Sequence, residues 1–198
     1  MIKEIQDLRL VSKKITAGKI KNAVKVYQSY ISAKKGKGIH HPAMPYSISI
    51  EPTTSCNLRC PECISGLRDF TRPTGMMSME TFSKVIDELK DDLIFLTLYF
   101  QGEPLLNPSF FDFVSNASER GIYTHTSSNA HYFSRENAIK LVESGLDQVI
   151  VSMDGLDQKT YEKYRIGGNL EKVIDGMKTL NSVKKSYKSK TPFIDLQF

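Results

Sequence analysis

Three cysteines, Cys56, Cys60 and Cys63, stand within eight residues of one another, and the chain has no others. They occur in the run Cys56-Asn-Leu-Arg-Cys60-Pro-Glu-Cys63, a CxxxCxxC spacing. An odd, clustered set does not make a disulfide framework. Thiolates are the usual ligands of iron–sulfur clusters. Three on one short loop can hold three irons of a cubane and leave the fourth iron open to a substrate. Zinc is the competing reading. A structural zinc site takes four closed ligands, usually from CxxC pairs. Here one CxxC carries one extra cysteine, and His40, His41, His125 and His131 all lie well away in sequence. The spacing favours the cluster and leaves a site of three cysteines and one histidine open.

The elements that must position this loop follow from the hydrophobic pattern. From Tyr46 onward, strands and helices alternate. A short strand is predicted over 47–50, and the cysteine loop follows it. Ser78 is placed to cap a helix running to about residue 90, with Met79, Phe82, Val85, Ile86 and Leu89 on one face. Residues 93–100 form a near-continuous apolar run, the pattern of a strand covered on both faces. Gly102-Glu103-Pro104 comes next. Asn107-Pro108 predicts a cap and first position for a helix that Gly121 closes. A third strand over 122–127 leads into Ser128-Asn129. A helix over 134–144 ends at Gly145. A fourth strand over 148–152 leads into Ser152-Met-Asp-Gly155, of which Asp154-Gly155 is read as a turn. Helices over about 157–164 and 169–184 precede a fifth strand over 193–198.

Short connections between alternating strands and helices mean parallel βαβ units, in an open sheet or a barrel. Periodicity does not choose between them. In both, ligands bind at the carboxyl ends of the strands. The cysteine loop, Gly102-Glu103-Pro104, Asn129 and Ser152 all fall there.

Composition bounds the rest. The chain has 198 residues, of which 40% are hydrophobic and 25% charged, an ordinary globular balance. No run of 18 apolar residues and no apolar leader is present, so a cytoplasmic protein is expected. Residues 1–41 carry ten Lys or Arg against Glu4 and Asp7, a net of +8; the whole chain is +5, which leaves −3 for residues 42–198. The basic character therefore belongs to the leading segment, and no nucleic acid partner is expected. Residues 2–34 read as helical from Ile2, Ile5, Leu8, Val11 and Ile15 and then Ile20, Ala23, Val24 and Tyr27, with Gly18 separating two helices. Residues 34–38 with Pro42 and Pro45 form a linker. Residues 1–45 are thus a basic helical extension and 46–198 the core. The extension is expected to pack its apolar face on the core and expose its charges, in preference to contacting an anionic membrane or acidic partner.

CxxxCxxC after the first strand, Gly102-Glu103-Pro104 after the second and Ser152 at the end of the fourth resemble the radical SAM superfamily, over about residues 46–198. The resemblance implies an α/β fold, a partial (β/α)6 TIM-type barrel with a [4Fe–4S] cluster on Cys56, Cys60 and Cys63. It implies that the free iron chelates S-adenosylmethionine and that reductive cleavage gives methionine and a 5′-deoxyadenosyl radical, which abstracts hydrogen. Gly102 and Glu103 match the GGE-type motif that holds the cofactor's amino group, and Pro104 follows it in many members. Ser152 and Arg165, the latter on the helix after strand four, resemble residues that meet the ribose or carboxylate. Asn129 stands where many relatives have Thr-Asn-Gly; here the run is Ser128-Asn129-Ala130. Many members have an aromatic residue before the third cysteine, where this chain has Glu62.

The loop and strand-end motifs look most like the branch with a C-terminal SPASM-type domain, which includes peptide-maturing enzymes, sulfatase activators and haem-tailoring enzymes. The cysteines of that domain are absent, so the chain is expected to be C-terminally incomplete. An electron donor of the flavodoxin or ferredoxin type is implied. A peptide is among the candidate substrates, and no catalytic acid or hydrogen acceptor is identifiable. The alternatives are a three-Cys zinc or redox-sensing protein and a truncated, non-catalytic remnant of the fold.

Overall fold

The computed structural model describes residues 9–38, 40–41 and 43–198. The expected helical positions Ile2, Ile5 and Leu8, and Pro42 of the linker, lie outside them. After a helical stretch at residues 9–14 come α1 (Ala17–Lys34), β1 (Ser47–Ser49), α2 (Ile64–Leu67) and α3 (Met79–Leu89). The order continues with β2 (Phe95–Thr97), a 3-10 turn (Pro104–Leu106), α4 (Phe110–Glu119), β3 (Tyr123–Ser128) and α5 (Arg135–Glu143). It closes with β4 (Gln148–Ser152), α6 (Gln158–Tyr164), α7 (Leu170–Ser186) and β5 (Phe193–Gln197).

The five strands are all parallel and pair in the order β1-β2-β3-β4-β5. This order resolves what periodicity left open. Successive right-handed crossovers that never reverse direction lay the crossover helices on one face of the sheet, as in a barrel wall and unlike a doubly wound sheet. The core lies between that face and the helices. Phe82 and Ile86 of α3, Phe113 of α4, Leu141 of α5 and Leu180 of α7 pack with Leu96, Val149 and Val151 of the sheet. The Phe82 and Phe113 rings stack at 4.5 Å.

The other sheet face is polar. Thr97 Oγ1 lies 2.7 Å from His125 Nε2, the Gln148 side-chain amide donates to Asp195 at 3.3 Å, and the Ser127 and Ser152 hydroxyls sit 3.2 Å apart. Phe95, Thr97, His125, Ser127, Ile150 and Asp195 on this face are all half-buried. The strand expected over 93–100 to be covered on both faces is therefore a three-residue strand, with Leu96 and Leu98 buried and its alternate positions partly open. The apolar run misleads because the inward positions carry Phe95 and Tyr99, which face rings of neighbouring strands rather than helices.

Ser78 caps its helix as expected, and Ser134, Asp157 and Asn169, the first residues of three expected helices, prove to be caps as well; each accepts from the backbone N–H three residues on. Three expectations are corrected. Asn107-Pro108 stands just ahead of α4, whose N-cap residue is Ser109; Asn107 Oδ1 accepts from Ser109 N at 2.9 Å, while its NH2 donates to Pro52 O and Met77 O. Gly18 does not separate two helices. The break is at Ile15–Thr16, where Thr16 Oγ1 caps Lys19 N, so Gly18 sits in the first turn of α1.

The third correction concerns which face of α1 meets the core. Lys19 Nζ donates to Gly121 O at 2.6 Å, and Asn22 clasps Met44 through both backbone groups at 2.8 and 3.1 Å. Just upstream, Lys14 Nζ bonds Asp147 Oδ2 at 2.5 Å and Ile122 O at 3.1 Å. The helix is thus held by its polar side, and the apolar stripe expected to pack inward is exposed. Polar anchoring prevails because the amino ends of β3 and β4 present bare carbonyls and a buried carboxylate, which apolar side chains cannot satisfy. Lys14→Met leaves Asp147, 3% exposed, without its counter-charge. A loss of about 3 kcal/mol in urea unfolding is expected; an unchanged midpoint would remove this pair from the account of how α1 is held.

Candidate functional site

The cysteine loop runs from β1 to α2 and is fixed along its length. Thr53 bridges Met76, Met77 N donates to Pro52 O at 2.9 Å, and Asn107 grips the same two segments from beneath. Arg59 N donates to Ile166 O at 3.0 Å, which ties the loop to the segment after α6. Cys63 is the N-cap residue of α2. A Cβ at Gly66 would stand 2.4 Å from Cys60 O, so α2 lies directly against the loop.

The three thiols line one cleft with Gly102, Glu103, Asn129, Ser152 and Arg165. Every one of these comes from a loop or strand end at the carboxyl edge of the sheet, or from the residue capping α6. Pro104 is buried as the first residue of the 3-10 turn and is not on the cleft wall. Burial pushes the Cys56 and Cys60 thiols up; the N–H of Leu58 opposes this at Cys56, and the Arg165 guanidinium opposes it at Cys60. Leu58 N lies 3.4 Å from Cys56 Sγ and Arg165 Nη1 lies 3.7 Å from Cys60 Sγ. Donors aimed at sulfur are what tune thiolate-bound iron clusters. Among the described residues no three His, Cys, Asp or Glu side chains converge on one ion position. Three thiols on one cleft wall are, by their chemistry, a donor set that fits an iron–sulfur cluster.

Gly102 shows why the Gly-Glu-Pro run is needed. Its φ is +77°, and a Cβ would stand 2.2 Å from Thr53 O and 2.8 Å from Ser55 O. Its N–H donates to Ser65 Oγ, and Glu103 N donates to Ser55 O, both at 2.8 Å. The second-strand loop is thereby pressed onto the cysteine loop. Gly102→Ala is expected to cost about 3 kcal/mol or more, because φ and contact are both forbidden to a side chain. Thermal melting checks this; a variant as stable as wild type would mean the two loops separate freely.

Glu103 is 1% exposed. Its carboxylate accepts from Ser128 Oγ and Asn129 N, each at 2.8 Å, and from Leu105 N at 3.4 Å. Burial outweighs these donors and pushes its pKa up to about 7. Asn129 is the junction of the site. Beyond its N–H to Glu103, its amide donates to Asn57 Oδ1 of the cysteine loop at 2.8 Å and its Oδ1 accepts from His131 N at 3.1 Å. Arg165 caps the end of α6 rather than riding on it, and is no solvated helix-face charge. Its Nε meets Asp154 Oδ2 at 2.5 Å, so Asp154, read from sequence as part of a turn, orients the guanidinium beside Cys60. Sequence reasoning missed Ser65, Asn57, Ser128, Asp154 and Asn107. Each acts through a partner at least 11 residues away, which no local pattern reveals.

The sequence pattern of the Radical SAM superfamily matches residues 50–194. The chain is 28% identical over 135 residues to the PqqA peptide cyclase of Rhodopseudomonas palustris, covering 68% of this chain and 35% of that protein. It is 27% identical over 137 residues to the AdoMet-dependent heme synthase of Methanosarcina barkeri, covering 69% and 39%. The chain thus spans little more than a third of the length of these curated relatives. Among solved structures, Streptococcus suis SuiB bound to S-adenosylmethionine superposes with a TM-score of 0.61 at 19% identity, covering 80% of this chain and 36% of that one. SuiB bound to its precursor peptide SuiA gives the same TM-score at 18% identity, covering 80% and 35%.

Proposed function

From its membership of the radical SAM superfamily, to which this chain belongs, we propose that it is an enzyme core that binds a [4Fe–4S] cluster and reductively cleaves S-adenosylmethionine. The observation that carries this reading is the convergence of Cys56, Cys60 and Cys63 with Gly102 and Glu103 on one cleft at the carboxyl ends of parallel strands. The three thiolates would hold the cluster. When bound, that group supplies the electron that breaks the sulfonium–C5′ bond, giving methionine and a 5′-deoxyadenosyl radical.

The chain's own residues bind and orient. Glu103, ionised, would accept the ammonium of S-adenosylmethionine, aided by the backbone beside Gly102. Asn129 holds the Glu103 carboxylate and the cysteine loop in one arrangement. Ser152, hydrogen-bonded to Ser127, would meet the ribose hydroxyls. Arg165 would face the methionyl carboxylate while Asp154 fixes its planar head. Residues 46–198 carry this core and residues 1–45 extend it. The electron comes from a flavodoxin- or ferredoxin-like donor. The hydrogen donor is a peptide, a class supported by the named activity of the cyclase relative and by the structure of SuiB with its precursor peptide. No helix among the described residues is long and apolar enough to cross a membrane; the cytoplasm is the proposed compartment.

The test is anaerobic reconstitution with iron and sulfide, reduction with dithionite, and quantification of 5′-deoxyadenosine from S-adenosylmethionine. Its formation supports the reading. A cluster that forms without cleavage supports the reading of a non-catalytic remnant. Binding of one zinc per chain without sulfide sinks the cluster altogether.

A further inference from the structure

Between Asp7 and Glu51 the chain carries charge of one sign only. Residues 8–50 contain nine Lys or Arg and no Asp or Glu. Lys14 and Lys19 are engaged in anchoring at the amino ends of β3 and β4, and Asn22 at Met44 ahead of β1, and that anchoring fixes the roll of α1. The face turned outward carries Ile20, Val24 and Tyr27, exposed by 48%, 47% and 64%, with Tyr30 at one edge. Their spacing of four and three residues makes one stripe along the helix. Exposed Lys21 and Lys25 flank it, and Lys34, Lys35 and Lys37 stand at its end.

An apolar stripe edged by tyrosine and bordered by lysines matches the boundary layer of a bilayer with anionic headgroups. Tyrosine rings suit the headgroup level, lysine stems can snorkel to phosphate, and short apolar residues reach the first acyl carbons. A second copy of this chain would bring the same uncompensated positive charge into the contact. An acidic protein surface would pair the lysines but offers the stripe no apolar depth.

We propose that α1 seats the protein on an anionic lipid surface through Ile20, Val24 and Tyr27, with the flanking lysines on lipid phosphates. The helix lies at the amino ends of the strands and the cysteine cleft at their carboxyl ends. The cleft therefore opens away from the lipid, toward water. This placement is independent of the chemistry assigned to the cleft.

The test is flotation of the whole chain with vesicles of phosphatidylcholine alone and of equal phosphatidylcholine and phosphatidylglycerol, at low and high salt. Binding is expected only to the phosphatidylglycerol vesicles and is expected to be released by salt. Val24→Asp with Tyr27→Asp changes two exposed positions and leaves the anchors intact; partitioning is expected to fall at least about tenfold with an unchanged melting temperature. Lys21→Glu with Lys25→Glu is expected to lower it about a hundredfold. The proposal is overturned by a failure to float with phosphatidylglycerol, by equal flotation with phosphatidylcholine alone, or by full binding of the aspartate variant, which would reduce the effect to charge adsorption. It is also overturned if light scattering finds a dimer that the aspartate variant dissolves, since the stripe would then receive a second copy.

Discussion

Cys60→Ala is expected to yield folded protein that retains no [4Fe–4S] cluster after reconstitution and forms no 5′-deoxyadenosine. Cys60 is 4% exposed, and its backbone is pinned against Gly66, so no neighbouring side chain can swing in to replace its sulfur. With two thiolates left, a cubane would have two irons without protein ligands and would be lost to solvent or chelator. The truncation removes only one small buried atom group, at a stability cost of about 1–2 kcal/mol, so the secondary structure should persist. Iron and sulfide analysis should fall from about four of each per chain to near none. The visible absorbance of the cluster should vanish while the far-ultraviolet circular dichroism is kept. Wild-type iron and sulfide in this variant would remove Cys60 from the ligand set. One equivalent of zinc bound by wild type and lost in the variant would replace the cluster with a mononuclear site.

Glu103→Ala is expected to weaken S-adenosylmethionine binding by about a hundredfold, the value of a buried charge-assisted hydrogen bond and its ion pair. It also orphans the donors at Leu105, Ser128 and Asn129, so a drop of a few kcal/mol in stability accompanies it. Equilibrium binding to the reconstituted protein measures the first effect, with cluster absorbance as the check that the loop survives. The pH dependence separates a charge partner from a mere spacer. The Glu103 carboxyl titrates at about 7 because it is buried. An ammonium ligand selects the ionised form, so wild-type affinity should rise about tenfold between pH 6 and pH 8, and the variant should lack this rise. In the ligand-free protein the sign reverses. The folded carboxyl holds its proton more tightly than the unfolded one, so stability should decline as pH rises from about 4.5 to about 7 and level off above. Wild-type affinity that is flat across this range would dissociate Glu103 from the ammonium.

The parts legible in the sequence are those set by short-range rules. Helix caps at Ser78, Ser134, Asp157 and Asn169 need only a side chain and an N–H three residues on. Gly121 and Gly145 close their helices with φ of +65° and +77°. The order of strands and helices, and with it the location of the cysteines at a strand end, follows from alternation alone. The supports of the cleft were not legible, because their meaning lies in pairings across the fold. Ser128 reads as one more loop serine until Glu103, 25 residues earlier, is brought beneath it. Asn107 reads as a helix cap because asparagine before proline usually is one. Here its Oδ1 does accept from Ser109 N, but its NH2 is drawn to the carbonyls of Pro52 and Met77, and the helix begins after Ser109. The roll of α1 was misjudged for a related reason: hydrophobic periodicity locates a stripe but does not say whether the surface awaiting the helix is apolar.

The inner face of the sheet, with Thr97 on His125 and Gln148 on Asp195, is already hydrogen-bonded within itself. A guest molecule settling there exchanges existing bonds for new ones and gains little from each match. A mismatch, however, strands a donor or acceptor that had a partner before, at about 1–3 kcal/mol each. Such a surface discriminates by rejection more than by attraction. It should bind its correct guest loosely and wrong guests hardly at all, and tight-binding analogues would have to reproduce the whole pattern of the face rather than any single contact.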